Sequence, residues 1–175
     1  MMHPFDTAAG TYDDQFTNSR IGRILRKGVW NYMDRVLAGT KTLNNLELNC
    51  GTGEDALFFA RKGHRVTATD VSEEMIKRTN EKIEKAGLQN SIETKKMDAR
   101  ELRDNITEKT FDLVFSNFGG LNCIERDQLV ELSAAIADCL NNGGRFIGVI
   151  MGKVCLWESL YFLAKLDLNK VFRRN

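Results

Sequence analysis

The chain has 175 residues, of which 42% are hydrophobic and 28% charged, enough for one domain with a packed core and a soluble surface. Lysine plus arginine (25) nearly balances aspartate plus glutamate (24), so the net charge of +1 gives no overall field that would draw nucleic acid or an anionic membrane. That composition excludes long disorder, and the longest strongly apolar stretch, around Phe146 to Gly152, is far short of the ~20 residues that span a bilayer.

The opening residues, MMHPFDTAAGTYDDQF, carry Asp6, Asp13 and Asp14 and have neither a cationic leader nor an apolar run. They do not read as a secretory signal, and a cytoplasmic location is expected. Next, Ile21, Ile24, Leu25, Val29, Tyr32, Met33, Val36 and Leu37 recur at three- and four-residue spacing, which predicts an amphipathic helix from about Ser19 to Leu37. On that helix Arg20, Arg23, Arg26 and Lys27 read as a solvated charged face in preference to a site for an anionic substrate. From there on, β-type runs near 43–49, 65–70, 91–97, 111–117 and 144–151 alternate with helical stretches, the pattern of a parallel α/β sheet.

Ser72 stands at an N-cap position with Glu73 and Glu74 behind it, and Gly87 closes a helix whose inward set is Met75, Ile76, Thr79, Ile83 and Ala86. A further helix runs from about Glu125 to Leu140, where Asn141-Asn142-Gly143-Gly144 breaks it and feeds the strand RFIGVIM. FDLVFSN is almost continuously apolar and predicts a central strand; SIETKKM is polar enough for an edge. The last stretch, VCLWESLYFLAKLDLNKVFRRN, reads as one helix with Trp157, Leu160, Tyr161, Ala164 and Leu168 in register. Cysteines at 50, 123, 139 and 155 and histidines at 3 and 64 lack ligand spacing, so reduced thiols and no metal are expected. His64, in a Lys-Gly-His-Arg turn, reads as a surface residue, and Cys50, without a cationic neighbour in sequence, as core filler.

The segment that carries chemistry is Leu46-Glu47-Leu48-Asn49-Cys50-Gly51-Thr52-Gly53-Glu54-Asp55-Ala56, a strand that runs through a glycine turn into a helix. Gly51 and Gly53 have no Cβ to block a ligand's approach, and Asn49 is one of the few other residues that tolerate a left-handed backbone. Gly51-x-Gly53-x-x-Ala56 fits a relaxed dinucleotide fingerprint, but Glu47 before the turn and Glu54 and Asp55 after it would repel a diphosphate. An ammonium and a sulfonium with a ribose suit that acidic rim better, and S-adenosylmethionine is such a ligand. Asp70, at the end of RVTATD, is placed to accept ribose hydroxyls, and Asp98, after SIETKKM, to accept from an adenine amine. A nicotinamide-dependent oxidoreductase and a non-catalytic adenosyl-binding module remain alternatives.

In ELNCGTGED, ATDVSEEMI, MDAREL, FDLVFSNFGGLNC and LNNGGRFIGVIMG the chain resembles the class I S-adenosylmethionine-dependent methyltransferases of the small-molecule type, over roughly Tyr12 to Gly152. The resemblance implies a Rossmann-like, doubly wound, mainly parallel sheet in the order 3-2-1-4-5 flanked by helices; the family's terminal strand 6/7 hairpin is not expected from this sequence. It divides a single domain into an N-terminal lid and helix (1–40), a cofactor-binding core (41–152) and a C-terminal helix (153–175), and the missing hairpin predicts either truncation or a naturally shortened fold. It implies that Gly51 and Gly53 pass the methionine end of the cofactor, that Asp70 holds the ribose, and that Val71 and Met75 pack near the adenine, which Asp98 and Ala99 contact. Ser116-Asn117-Phe118-Gly119 would face cofactor and acceptor, and the segment with Tyr12, Phe16 and Arg20 would fold over them. Asn49 departs from the family's usual glycine.

Enzymes that methylate base amines resemble one another in an Asn/Asp-Pro-Pro-aromatic turn; this chain has Asn117-Phe118-Gly119-Gly120, so a small-molecule acceptor is expected and a nucleic acid is not. Methyl transfer from a sulfonium is an in-line displacement that needs alignment more than a base, and no catalytic residue is assigned. Without a hairpin beyond the fifth strand its edge would be unpaired, which predicts a homodimer or marginal solubility.

Overall fold

The computed structural model describes residues 4–106 and 110–152. Helix α1 (Pro4–Tyr12) passes through a π-helical turn (Asp13–Thr17) into α2 (Arg20–Val36). Strands and helices then alternate: β1 (Asn44–Leu48), α3 (Glu54–Arg61), β2 (Arg65–Asp70), α4 (Glu73–Ala86), β3 (Ile92–Lys96), α5 (Leu102–Asn105), β4 (Phe111–Ser116), α6 (Arg126–Cys139) and β5 (Leu140–Gly148). Short 3-10 turns at Ala99–Glu101 and Gly120–Cys123 follow β3 and β4. All neighbouring strands pair in parallel, in the order β3-β2-β1-β4-β5. The fold is the Rossmann-like arrangement expected.

Strand alternation divides the core. Leu46, Leu48 and Val114 point to one face, where Leu102, Leu132 and Ile136 of α5 and α6 cover them. Ala68, Leu113 and Phe115 point to the other, against Met33, Ala56, Phe59 and Ile83 of α2, α3 and α4. Phe59 meets Phe115 edge to face at 5.1 Å, and burying each such ring contributes roughly 1.5–3 kcal/mol. Glu47, between Leu46 and Leu48, therefore projects into the α2–α4 side of the sheet.

The helix signals in the sequence act as caps. Ser19 Oγ accepts from Gly22 N–H at 3.0 Å, Ser72 Oγ from Met75 N–H at 3.2 Å, and Gly87 closes α4 at φ 67°. β4 is central and β3 lies at an edge, as their polarity predicted.

Three expectations are corrected. The period of α2 is right, but Ile21, Ile24, Leu25 and Tyr32 are exposed, while Gly22, Arg26 and Met33 form the buried face. Arg26 is thus an interior group and not part of a solvated stripe. His64 is buried, and its Nδ1 accepts the Leu43 N–H at 3.3 Å; burial and then the Lys62 charge lower its pKa, so it serves as a neutral acceptor at the mouth of β1. The third concerns Asn141-Asn142-Gly143-Gly144, which is not a break before the fifth strand but a bulge within it. Leu140 already pairs with Phe111, Arg145 pairs with Leu113, and Asn141 Nδ2 closes the loop on Asp112 Oδ1 at 2.8 Å. Gly143 takes φ 81°, and a Cβ on Gly144 would come within 2.9 Å of Asn141 O.

Among the described residues β5 is the other edge of the sheet, and Phe146, Ile150 and Met151 on and after it are exposed. The helix read over 153–175 lies outside the described residues.

Candidate functional site

At the carboxyl ends of β1, β2 and β4 the chain encloses a cavity of about 350 Å³, within the range of small-ligand pockets. Its floor is the glycine turn. Asn49 and Gly51 take φ of 58° and 56°, and Cys50 N–H bonds back to Thr69 O at 2.8 Å, which ties the turn to β2. Asp70 fixes the same turn: Oδ2 accepts Gly51 N–H and Oδ1 accepts Ser72 N–H, both at 2.9 Å. A carboxylate oxygen can accept more than one hydrogen bond, and Asp70 faces the cavity. Among the described residues nothing comes closer than the Tyr12 ring, at 4.0 Å, to where a Cβ on Gly51 would stand, so the Cα face of the turn is open to a ligand while its N–H is held by Asp70 and its C=O accepts from Thr79 Oγ1 at 3.0 Å.

Asn49 stands where the resembling family has glycine, and the structure shows how it fits. Its side chain lies where a Cβ on Gly120 would stand, 2.6 Å away, so the glycine after β4 makes room for the asparagine after β1. Phe118 and Gly119 follow one another at φ 49° and 78°, a left-handed pair that is costly for a phenylalanine. Asn117 Oδ1 accepts the Phe118 N–H at 2.8 Å and holds that turn.

Behind the floor is a group of acids. Asp55 is buried; its Oδ1 accepts Trp30 Nε1–H at 2.5 Å and its Oδ2 accepts Asn117 Nδ2–H at 3.0 Å. Burial raises the Asp55 pKa, against the opposing charge of Arg26 and its hydrogen bonds. Glu47 is fully enclosed, its Oε2 has no hydrogen-bond partner among the described residues, and burial, with Asp55 next, pushes its pKa well above the ordinary range. Burial likewise raises the Cys50 thiol well up, so it is an inert group in the floor.

The roof is the N-terminal segment. Asp6 accepts Ser72 Oγ–H at 2.6 Å, Arg78 donates to Gly10 O at 3.3 Å, and Lys82 Nζ lies 2.7 Å from both Asp13 and Glu54. Thr52 Oγ1 also donates to Asp13, at 2.6 Å. Tyr12, Phe16 and Phe118 form a chain of rings 5.6 and 5.0 Å apart. Burial raises the Tyr12 phenol, so it stays neutral.

Of the site residues expected from sequence, Tyr12, Asn49, Gly51, Asp70, Val71, Met75, Asp98, Asn117 and Phe118 line this one cavity. Glu47, Gly53 and Ala99 stand behind its wall. Gly53, at φ 78°, caps α3 where a Cβ would strike Thr79 Cγ2 at 2.5 Å, and Ala99 packs with Met97 and Leu102. Asp98 reaches the cavity while its carboxylate accepts both backbone and side chain of Arg100. Sequence reasoning missed Arg26 as a lining residue and the exchange of bonds among Asp55, Trp30 and Asn117. One signal was present: Gly22 and Arg26 are four apart, and a glycine marks a helix face that approaches backbone closely.

A family model described as a methyltransferase domain matches residues 46–144, more than half the chain. The chain belongs to the class I S-adenosylmethionine-dependent methyltransferase family. The cofactor of that family is S-adenosylmethionine, so the relaxed dinucleotide fingerprint is here a methyltransferase glycine turn. Among curated relatives, the ubiquinone/menaquinone biosynthesis C-methyltransferase of Methylococcus capsulatus is 32% identical over 82% of this chain and 56% of its own length. The tRNA 5-carboxymethoxyuridine methyltransferase of Escherichia coli is 30% identical over 51% of this chain and 35% of its own. This chain therefore spans about a third to just over half the length of those relatives. Among solved structures, the complex of DhpI with S-adenosylhomocysteine (SAH) superposes with a TM-score of 0.64 at 25% identity, over 86% of this chain and 68% of that one. PH0226 from Pyrococcus horikoshii gives a TM-score of 0.66 at 23% identity, over 86% and 65%, a likeness of fold. Among the described residues no helix is long and apolar enough to cross a membrane.

The residues present suit the cofactor. The cavity has adequate volume, a glycine Cα face open to a ligand and apolar lining at Val71, Met75 and Ile124 for an adenine ring. The carboxylates of Asp70 in the cavity wall and Asp55 behind it favour a ligand with positive charge.

Proposed function

We propose that this chain binds S-adenosylmethionine in the cavity and transfers its methyl group to a small-molecule acceptor. The observation that carries the reading is the convergence of the open Cα face of Gly51 with Asp55 and Asp70 on one cavity at the carboxyl edge of the sheet. When bound, the cofactor supplies an electrophilic methyl on a positively charged sulfur. Asp70 and Asp98 would orient the adenosine, Val71 and Met75 would pack on its ring, and the Asn117–Phe118 turn would border the acceptor. Tyr12, Phe16 and Phe118 would exclude water, which matters because alignment in a dry cavity is most of what such a displacement requires. The free thiols of Cys50, Cys123 and Cys139 suit a reducing compartment, the cytoplasm, and the exposed Phe146, Ile150 and Met151 on and after β5 suit self-association as a homodimer.

The Asn117-Phe118-Gly119-Gly120 turn and the +1 net charge support a small acceptor over a nucleic acid. Transfer of a radiolabelled methyl group to a panel of small amines, phenols and carboxylates, run beside total tRNA, tests this. Label in a small molecule is expected; label in tRNA alone would replace the acceptor class, as the likeness to a tRNA-modifying enzyme allows.

A further inference from the structure

Helix α2 is amphipathic twice over. Gly22, Arg26 and Met33 face inward, yet on its outer side Ile21, Ile24, Leu25 and Tyr32 are 70%, 61%, 49% and 50% exposed. Apolar residues exposed singly are ordinary, but these four fall in one line. With Gly28 they recur at three- and four-residue spacing from 21 to 32, a stripe about 16 Å long. Beside it a groove of about 600 Å³, lined by Leu25, Val29, Tyr32 and Val149 among others, carries the apolar surface on toward β5. The charge along the stripe has one sign. Arg20 and Lys27 flank Ile24 at four and three residues, and Arg35 stands three residues beyond Tyr32, so all three border it. With Arg23 they are exposed and have no ion-pair partner among the described residues, while the one acid of α2, Asp34, is taken by Lys62. The near-neutral total of +1 thus conceals a local cationic border.

We propose that the outer face of α2 docks on an anionic lipid bilayer, with Ile21, Ile24, Leu25 and Tyr32 inserted at the headgroup boundary and Arg20, Lys27 and Arg35 on the anionic headgroups. Charge selects this occupant. A second copy laid on the stripe about a two-fold axis would set cationic border against cationic border. A nucleic acid would satisfy the cations and leave four apolar side chains against phosphates. An anionic lipid surface meets both demands, because apolar side chains enter the acyl boundary while arginine and lysine stay at headgroup depth. Such docking lies in the interface plane and requires no membrane-spanning helix. It stands apart from the cofactor reading but bears on it: α2 carries the roof of the cavity, with Ser19 Oγ–H donating to Phe16 O at 2.7 Å, so the docked helix would hold the covered end of the cavity beside the lipid.

The test is co-sedimentation of the full chain with vesicles of phosphatidylcholine alone and of phosphatidylcholine mixed with phosphatidylglycerol, with melting temperature and sedimentation velocity measured on the same proteins. Wild type is expected to bind the anionic vesicles at least about 10-fold more tightly than the neutral ones, and to be released by roughly 0.5 M salt. Ile24→Ser with Leu25→Ser, and separately Lys27→Gln with Arg35→Gln, should each weaken that binding about 10-fold or more at an unchanged melting temperature. Wild type that ignores anionic vesicles overturns the proposal. So does binding that the charge variant weakens and the apolar variant does not, since that is attraction to any polyanion. An apolar variant that melts several degrees lower, or changes its sedimentation coefficient, overturns it as well, because the protein itself then covers the stripe.

Discussion

The floor and the roof of the cavity are built on different principles. The floor is backbone: a turn with left-handed residues at Asn49, Gly51 and Gly53, clamped by Asp70 and packed on Thr79, in which no part can move without breaking a hydrogen bond or a steric fit. The roof is side chain: α1 and the π-turn are attached to α4 and its cap by separate contacts at Ser72, Arg78 and Lys82, of which those of Arg78 and Lys82 are partly exposed to water. A floor of that kind sets where a ligand sits, and a roof of that kind sets how long it stays, because exposed polar contacts contribute little individually and release independently.

The strongest way to break the contrast is at the floor. Gly53→Ala places a Cβ 2.5 Å from Thr79 in a left-handed position, and about 2–4 kcal/mol of stability should be lost in urea unfolding; a loss under about 0.5 kcal/mol would mean the turn is soft. Asp70→Ala removes charge-assisted bonds to the turn and the proposed ribose site, and should cost roughly 1.5–3 kcal/mol of S-adenosylmethionine affinity by calorimetry. Affinity left intact would take Asp70 out of the site.

The roof should respond differently. Lys82→Met deletes two partly buried ion pairs, so global stability should fall by only about 1 kcal/mol while the cofactor dissociation rate, read by stopped-flow tryptophan fluorescence, rises. Equal effects on both would join roof and floor into one unit.

Smallest of all, pH should move the two regions in opposite senses. Burial opposes ionisation of Asp13, but bonds from Lys82 and Thr52 hold its pKa below the ordinary value, so its contribution is present above the unfolded pKa and lost as pH falls through the folded one. Glu47 is raised, so the folded state keeps its proton longer than the unfolded chain, and stability declines as pH rises from about 4 toward its folded pKa. Glu47→Gln should flatten that decline in melting temperature, and limited proteolysis of the first 20 residues should increase only on the acid side. A melting curve with the same slope in the variant would clear Glu47 of the effect.

Most of the fold was legible because its signals are local. Ser72 and Gly87 bound α4, the apolar run of β4 marks a central strand, and the glycine turn announces itself in four residues. What was hidden depends on the partner across space. The apolar period of α2 fixes a helix but not its inward face, since Ile21, Ile24 and Leu25 lie exposed while a glycine and an arginine go inside. His64 looked like a turn residue because its acceptor role depends on Leu43, 21 positions away. The bulge in β5 was invisible because helix, loop and strand signals overlap within five residues. Nine candidate residues share a cavity wall, while Glu47, Gly53 and Ala99 stand one layer back: a motif marks which turn matters, not which of its atoms are bare.

Gly22 gives the roof its angle. The end of the π-turn lies against α2 so closely that a Cβ there would stand 1.9 Å from Phe16 O. The missing methyl therefore works as a mortise: the joint between cover and core is cut into the helix, with no room for a shim. A lineage that kept every cavity residue but replaced this glycine would carry the whole binding surface under a cover that no longer seats, and would lose residence time before it lost recognition.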